Sequence, residues 1–190
     1  AASCDADLDC ADERYAWTAR IYDSKQVRAA EREALYALIC ADDSPFAVAI
    51  GVADHEMIDQ LNILKATHYA MHTAVRSLIM CPDYLLVDGT LIPEIEIAQE
   101  KVIRGDSTCL CIAAASIVAK VTRDRVMQTF AQQYPQYGFE RHKGYGTPEH
   151  LDALRREGRC PIHRCTFTAP GLGGGQHGRC GRRPRRTPGG

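Results

Sequence analysis

Two aspartates stand where an apolar run gives way to a turn: Asp88 closes Tyr84-Leu85-Leu86-Val87-Asp88-Gly89, and Asp106 closes Val102-Ile103-Arg104-Gly105-Asp106. A carboxylate just past a buried strand is held on a rigid edge, facing solvent or a ligand rather than the core. Two such carboxylates brought close together repel each other unless a cation lies between them. Hard divalent cations favour carboxylate oxygens. The pattern therefore predicts an acidic divalent-metal site built on strand ends.

The elements that must hold those aspartates follow from local signals. Asp23 and Ser24 are good capping residues, and Val27, Ala30, Ala34, Leu35 and Leu38 then recur at helical spacing. Phe46 to Val52 is a short apolar run bounded by Ser44-Pro45 and Asp54, which predicts a strand. Leu64, His68, Met71, Val75 and Leu78 share one face of a second helix, with His68 expected as a packed core residue. Tyr84 to Val87 predicts the next strand, and Ile95 to Ile103 holds another. Ser107 to about Tyr134 predicts a long helix whose positive end lies beside Asp106. Residues 1–22 show neither strand alternation nor a sustained helical stripe, although Tyr15, Trp17, Ile21 and Tyr22 offer packing surface.

A second constellation lies at His142-Lys143-Gly144-Tyr145-Gly146-Thr147. Glycines on either side allow a close backbone approach and let Tyr145 stand out, with a ring to stack and a hydroxyl to donate. A plain turn carrying a surface tyrosine fits the same residues. Thr147 followed by Pro148 predicts a capped start for a terminal helix.

Composition sets outer limits. The 190 residues suffice for one domain with a core, and a net charge of −1 leaves room for a local basic patch. No apolar run approaches the ~20 residues needed to cross a bilayer, so a cytoplasmic protein is expected. The 9 cysteines contain no Cys-x-x-Cys pair, the usual signature of structural zinc; Cys160 and Cys165 flank His163 and could bind zinc, but free thiols are the expectation. Residues 168–190, rich in glycine and carrying Arg179, Arg182, Arg183, Arg185 and Arg186, are expected to form a disordered tail able to hold phosphates loosely.

From Asp23 to about Phe167 the chain resembles ribonuclease HII, the bacterial type 2 ribonuclease H. The matching stretches are Asp23-Ser24-Lys25, Asn62 to Thr67, Leu86-Val87-Asp88-Gly89, Gly105-Asp106, Ala114 to Arg125, the run from His142, and Cys160 to Arg164. The resemblance implies an α/β fold, a ribonuclease H-like mixed sheet with flanking helices and a helical C-terminal part. It also implies cleavage of the RNA strand of RNA–DNA hybrids, and at ribonucleotides embedded in DNA, leaving a 5′-phosphate and a 3′-hydroxyl. By motif, Asp88 and Asp106 match the third and fourth of four acidic residues that hold two Mn²⁺ or Mg²⁺ ions. Tyr145 matches a tyrosine that packs on the nucleotide at the RNA–DNA junction, and Lys25 a substrate-contacting lysine. Lys120, Arg123, Arg125, Lys143 and Arg164 are candidates for phosphate contacts. Asp124 is expected to pair with a neighbouring arginine. The partners implied are hybrid duplexes and ribonucleotide-containing DNA, bound by a monomer with no membrane involved.

Where the family has an apolar strand ending in Asp-Glu, a Gly-Arg-Gly turn and a second strand, this chain has Asp12-Glu13 followed by Arg14-Tyr15-Ala16. Asp12 and Glu13 are the remaining candidates for the first two ligands. The expected organisation is an atypical segment 1–22 with the first strands missing or altered, a ribonuclease HII-like domain 23–167, and the tail 168–190. Residues 1–22 and 171–190 are expected to lie outside family sequence, as in a truncated or frame-shifted reading. Three outcomes stay open: a nuclease, a catalytically impaired homologue, and a nucleic-acid-binding module without turnover.

Overall fold

The computed structural model describes residues 1–4 and 12–167. The expected tail at 168–190 lies outside them. The elements run β1 (Ala2–Cys4), a 3-10 helix (Glu13–Arg20), α1 (Ala29–Ile39), β2 (Phe46–Val48), α2 (His55–Leu61), α3 (Ile63–Arg76), β3 (Tyr84–Asp88), β4 (Ala98–Val102), α4 (Gly105–Thr108), α5 (Leu110–Gln133), α6 (Phe139–His142) and α7 (Pro148–Glu157). They form a mixed α/β structure in two compact units, one of Ala1–Ala53 with Ile63–Arg125 and one of Asp54–Asn62 with Val126 onward. Among the described residues no helix is long and apolar enough to cross a membrane.

In the first unit, α5 supplies the central packing face. Ala113, Ala114, Ile117, Val118 and Val121 recur every three or four residues and meet Ile21, Val27, Leu35, Ile39 and Phe46. Burying each of the larger aliphatics stabilises the fold by about 1.5–3 kcal/mol. The N-terminal stretch joins this core, with Trp17 packed on it and in tilted contact with Phe46. Contrary to the expectation of a featureless 1–22, Ala2–Cys4 forms a strand antiparallel to β2. That pairing rests on backbone groups and needs no sequence alternation, which is why it was not visible in the residues.

A smaller cluster of Val75, Leu85, Val87 and Ile92 packs beneath the strands that carry the aspartates. β3 and β4 are parallel, with Asp88 opposite Val102. Instead of a single mixed sheet, the described residues form two separate two-stranded sheets. Neither β3 nor β4 is covered on both faces as a parallel sheet usually is. Leu85 and Val87 point inward while Tyr84 and Leu86 are exposed.

Several boundaries differ from the sequence expectation. Asp23 and Ser24 do not cap α1, which begins at Ala29 after Arg28; they form a tight turn instead. The strand expected over Phe46 to Val52 is confined to Phe46–Val48. On α3 the buried residues are Ala66, Ala74 and Val75; the expected stripe holds at Val75, with Met71 packed beside it, but not at Leu64, which is exposed. The backbone at Gly51 lies directly on α3, where a Cβ would come 1.9 Å from the Ala70 carbonyl oxygen. The long helix expected from Ser107 breaks at Cys109, whose extended backbone separates the one-turn α4 from α5.

The second unit packs Tyr137, Phe139, Ala153, Leu154 and Cys160 together, with Phe130 and Tyr134 from the end of α5. Asp59 on α2 accepts hydrogen bonds from the Cys165 and Thr166 amides and from the Thr166 hydroxyl. The α7 start is as the sequence predicts, with Thr147 accepting from the His150 amide and Pro148 in the first turn. Ile117 is fully buried in the first unit's core. Ile117→Ala is expected to lower the unfolding free energy by about 2–5 kcal/mol, measured by urea titration.

Candidate active site

The end of β3, which carries Asp88, is tied to the segment that carries Asp106. Past β4, Arg104 adopts a left-handed φ of 55° and turns the chain into α4, so that Gly105 faces the end of β3. The Gly105 amide donates to Asp88 Oδ1 at 3.0 Å, one peptide unit from Asp106. Residue 105 is buried against Ile112: a Cβ there would lie 2.4 Å from Ile112 Cδ1, so any larger residue would require the Ile112 side chain to move. The hydrogen bond from its amide ties the segment carrying Asp106 to Asp88.

Lys25 lies on the other side of Asp106, its Nζ 3.9 Å from Oδ2. The Asp23-Ser24-Lys25 motif explains that placement. Asp23 accepts from the Lys25 amide at 2.9 Å and from the Gln26 side chain at 3.0 Å. The Gln26 bond and then the Lys25 amide hold the Asp23 carboxyl below the usual range. Ser24 is buried and its hydroxyl meets that of Ser116 at 2.8 Å, while Arg32 donates to the Ser24 and Val27 carbonyls. A turn fixed at so many points aims one ammonium group at one carboxylate. The Lys25 side chain is otherwise 80% exposed, so the contact is screened and weak in energy.

Asp12 and Glu13 are placed differently. Arg14 grips Asp12 through its Nε and Nη2, the closest contact being 2.6 Å, and this holds the Asp12 carboxyl below its ordinary value. Among the described residues neither Asp12 nor Glu13 contacts Asp88 or Asp106, and no group of three or more histidine, cysteine or acidic side chains is arranged to hold a metal. As hard oxygen donors, Asp88 and Asp106 are of the type that suits a divalent cation, and among the described residues no third such donor joins them, so the donor set is partial.

The basic candidates divide between the units. Arg123 lies 3.9 Å from Asp124, whose main partner is Lys120 at 2.8 Å. The expected arginine partner of Asp124 is thus secondary, because the i,i+4 lysine reaches along the same helix face. Arg125 pairs with Glu33 at 2.6 Å. In the second unit, Tyr145 is 56% exposed on a loop opened by Lys143 and Gly144, both left-handed at φ 50° and 78°. Lys143 Nζ donates to the Glu140 carbonyl, and the Arg164 guanidinium lies 4.5 Å above the Phe167 ring. Among the described residues the cysteines form no disulfide; Cys160 contacts His163, and Cys165 does not join them in a zinc site. Sequence reasoning missed the Gly105 amide, the clamp of Arg14 on Asp12, and the histidines around the Tyr145 loop. The clamp had a visible signal, an aspartate two residues before an arginine.

Comparison with known proteins places these motifs in one frame. The model of the family Ribonuclease HII matches residues 12–169, a range that takes in Asp12 and Glu13. Ribonuclease HII of Geobacter metallireducens is 52% identical over 147 residues, covering 76% of this chain and 67% of that protein. Ribonuclease HII of Acetivibrio thermocellus is 47% identical over 146 residues, covering 77% and 56%. Ribonuclease HII of Pelodictyon phaeoclathratiforme is 50% identical over 155 residues, covering 81% and 74%. The chain therefore spans between 56% and 74% of the length of these relatives. The crystal structure of the ribonuclease H2 from Pyrococcus horikoshii OT3 aligns with 70% of this chain and 80% of that chain at 21% identity, with a TM-score of 0.49. With one family model running through both aspartate motifs and the glycine–tyrosine loop, and relatives near 50% identity, the chain belongs to the ribonuclease HII family.

Proposed function

We propose that the chain is an endoribonuclease that hydrolyses the RNA strand of RNA–DNA hybrids and the phosphodiester at ribonucleotides embedded in duplex DNA, leaving a 5′-phosphate and a 3′-hydroxyl. The observation that carries this reading is the junction of Asp88 and Asp106 through the Gly105 amide, inside motifs shared with the family. Asp88 and Asp106 would hold Mn²⁺ or Mg²⁺, with Asp12 and Glu13 completing the acidic set if the Arg14 clamp opens. Bound divalent ions supply charge neutralisation at the scissile phosphate and an activated water.

The chain's own groups do the positioning. Gly105 orients Asp88 and spends one of its lone pairs, leaving the second oxygen for a cation. Lys25, beside Asp106, is placed to meet a substrate phosphate. Tyr145 offers an exposed ring for stacking on a base or sugar at the junction, and Lys143, Arg123 and Arg164 are further phosphate contacts. Free thiols among the described residues suit a reducing, cytoplasmic setting, and the protein is proposed to act as a monomer.

A second reading has its own support. With Asp12 held by Arg14 and no third donor beside Asp88 and Asp106 among the described residues, the chain would be an impaired homologue that folds without turnover. Incubating the protein and Mn²⁺ with duplex DNA that carries one ribonucleotide separates the possibilities. Cleavage on the 5′ side of the phosphate next to that ribonucleotide supports the nuclease; salt-sensitive binding without products indicates a binding module; neither indicates the impaired homologue.

Given cleavage, Asp88→Asn and Asp106→Asn should each lower the rate at least about a hundredfold. The side-chain amide oxygen introduced by Asp88→Asn can still accept the Gly105 hydrogen bond, so the unfolding curve of that variant should stay near the parent's. A normal cleavage rate in either variant would remove the assignment. Lys25→Ala should weaken binding and reduce the slope of log affinity against log salt by about 1, read by fluorescence anisotropy. If Asp12 is a ligand once released, Arg14→Ala should raise Mn²⁺ affinity in calorimetry; unchanged affinity would leave Asp12 outside the site.

A further inference from the structure

Four groups around the Tyr145 loop form a hydrogen-bonded chain whose direction is fixed by a single backbone amide. The Cys160 amide lies 3.0 Å from His163 Nδ1 and can only donate, while the Cys160 carbonyl oxygen is farther off at 3.3 Å, so the closer contact makes that ring nitrogen an acceptor without a proton. The Cys160 thiol, 3.0 Å from the same nitrogen, has the same role open to it. Neutral His163 must then be protonated at Nε2, which lies 3.2 Å from His150 Nε2 and donates to it. His150 in turn carries its proton on Nδ1, 2.9 Å from the Tyr145 carbonyl oxygen. The chain runs Cys160 amide, His163, His150, Tyr145 carbonyl, with every link pointing the same way.

The surroundings leave little freedom. His150 is 5% exposed and stacks on His142 at 4.5 Å, and Phe139 stands edge-on to both rings. His142 is fixed by the same logic: it accepts from the Gly144 amide on Nδ1 and donates from Nε2 to the Tyr137 carbonyl. The Tyr145 carbonyl also accepts from the Thr147 amide at 2.8 Å, so the peptide that follows Tyr145 is held from two sides.

We propose that His150 and His163 are positioning residues for Tyr145: their relay fixes the Tyr145 peptide and so holds the exposed ring at the angle needed to stack on nucleic acid. This rests on the reading of Tyr145 as a junction-stacking residue. Neither histidine touches substrate. Both act through the backbone of the loop.

The relay exists only while both rings are neutral, because a second proton on either ring replaces an acceptor with a donor. Burial is the main cause that pushes His163 down to about 4, helped by His150, opposed by the Cys160 backbone contact, and helped again by Arg159 and His55. Burial likewise lowers His150, with His142 adding to it and the Tyr145 carbonyl opposing. Cys160 is the remaining titratable group in the chain. Both folded-state values lie below the ordinary 6.5, so the unfolded chain takes up protons first as pH falls. The relay's stabilising effect is complete above pH 6.5 and is lost progressively as pH falls towards about 4. His163→Gln should flatten the dependence of the urea midpoint on pH across that window.

The decisive test compares two substitutions of different reach. His150→Asn puts a side-chain amide where Nδ1 stood and can still donate to the Tyr145 carbonyl; His150→Gln mimics Nε2 and cannot. Affinity of the full chain for duplex DNA with one ribonucleotide is measured without divalent ions, alongside hydrogen exchange of the Thr147 amide. Tyr145→Ala and His150→Gln should each weaken binding about tenfold, and the double variant no further than either alone. His150→Asn should stay within about threefold of the parent. His150→Gln should speed Thr147 exchange, and His150→Asn should not. Equal effects of the two His150 substitutions in both measurements would reduce the histidines to packing and overturn the relay. If Tyr145→Ala leaves affinity unchanged while His150→Asn and His150→Gln still differ in exchange, the stacking reading is what fails, and the positioning role in binding goes with it.

Discussion

One backbone amide joins the two halves of the acidic site. The Gly105 N–H reaches Asp88 after Arg104 takes a left-handed turn in front of it, with residue 105 packed closely on the Ile112 side chain. A buried N–H without an acceptor costs about 1–3 kcal/mol, so the carboxylate of Asp88 is also the loop's structural partner. The register of β3 on β4, with Asp88 opposite Val102, brings the two segments level. A slip of one residue would turn Asp88 to the other face and leave Gly105 without its acceptor. Site geometry and strand register are therefore a single constraint.

Several acidic side chains are matched to a nearby donor. Asp106 has Lys25, Asp12 has Arg14, Asp124 has Lys120, and Asp59 has two amides and a hydroxyl. These arrangements differ in how easily they open. The Lys25 contact is long and exposed, whereas Asp12 is held through two nitrogens of one guanidinium at short range. A planar fork on a carboxylate is the stronger of the two geometries. The Asp106 carboxylate is thus the more loosely partnered, whereas Asp12 is held in its own local bond.

What the sequence made legible was mostly local. Thr147-Pro148 announced a helix start, because a cap and a fixed φ act within one turn. The strand ending in Asp88 was visible from its apolar run, whereas β4 is mostly polar and only its place within Ile95 to Ile103 was legible. Asp23-Ser24 misled because the residues that cap helices also build tight turns, and a buried Ser24 with Arg32 folded over it selects the turn. The break at Cys109 could not be seen, since Ser107 to Tyr134 carries an unbroken helical composition. The short strand Ala2–Cys4 depends on a partner far along the chain. The histidine relay was hidden for the same reason: His142, His150 and His163 are spread along the chain, and only the packing of Phe139 and Tyr137 brings their rings together.

The β3–β4 pair has a further physical meaning. Among the described residues it has no third strand, and Tyr84, Leu86 and Ile103 lie open to water around it. On β4 the charged side chains of Glu100 and Lys101 discourage another strand from docking; β3 carries no charge between Tyr84 and Val87. With a net charge of only −1, the molecule has little long-range repulsion to keep copies apart. The uncharged stretch Tyr84–Val87 is therefore an adhesive border on the same ribbon of backbone that ends in the Asp88 carboxylate, and crowding of copies in concentrated solution would be felt there first along this pair.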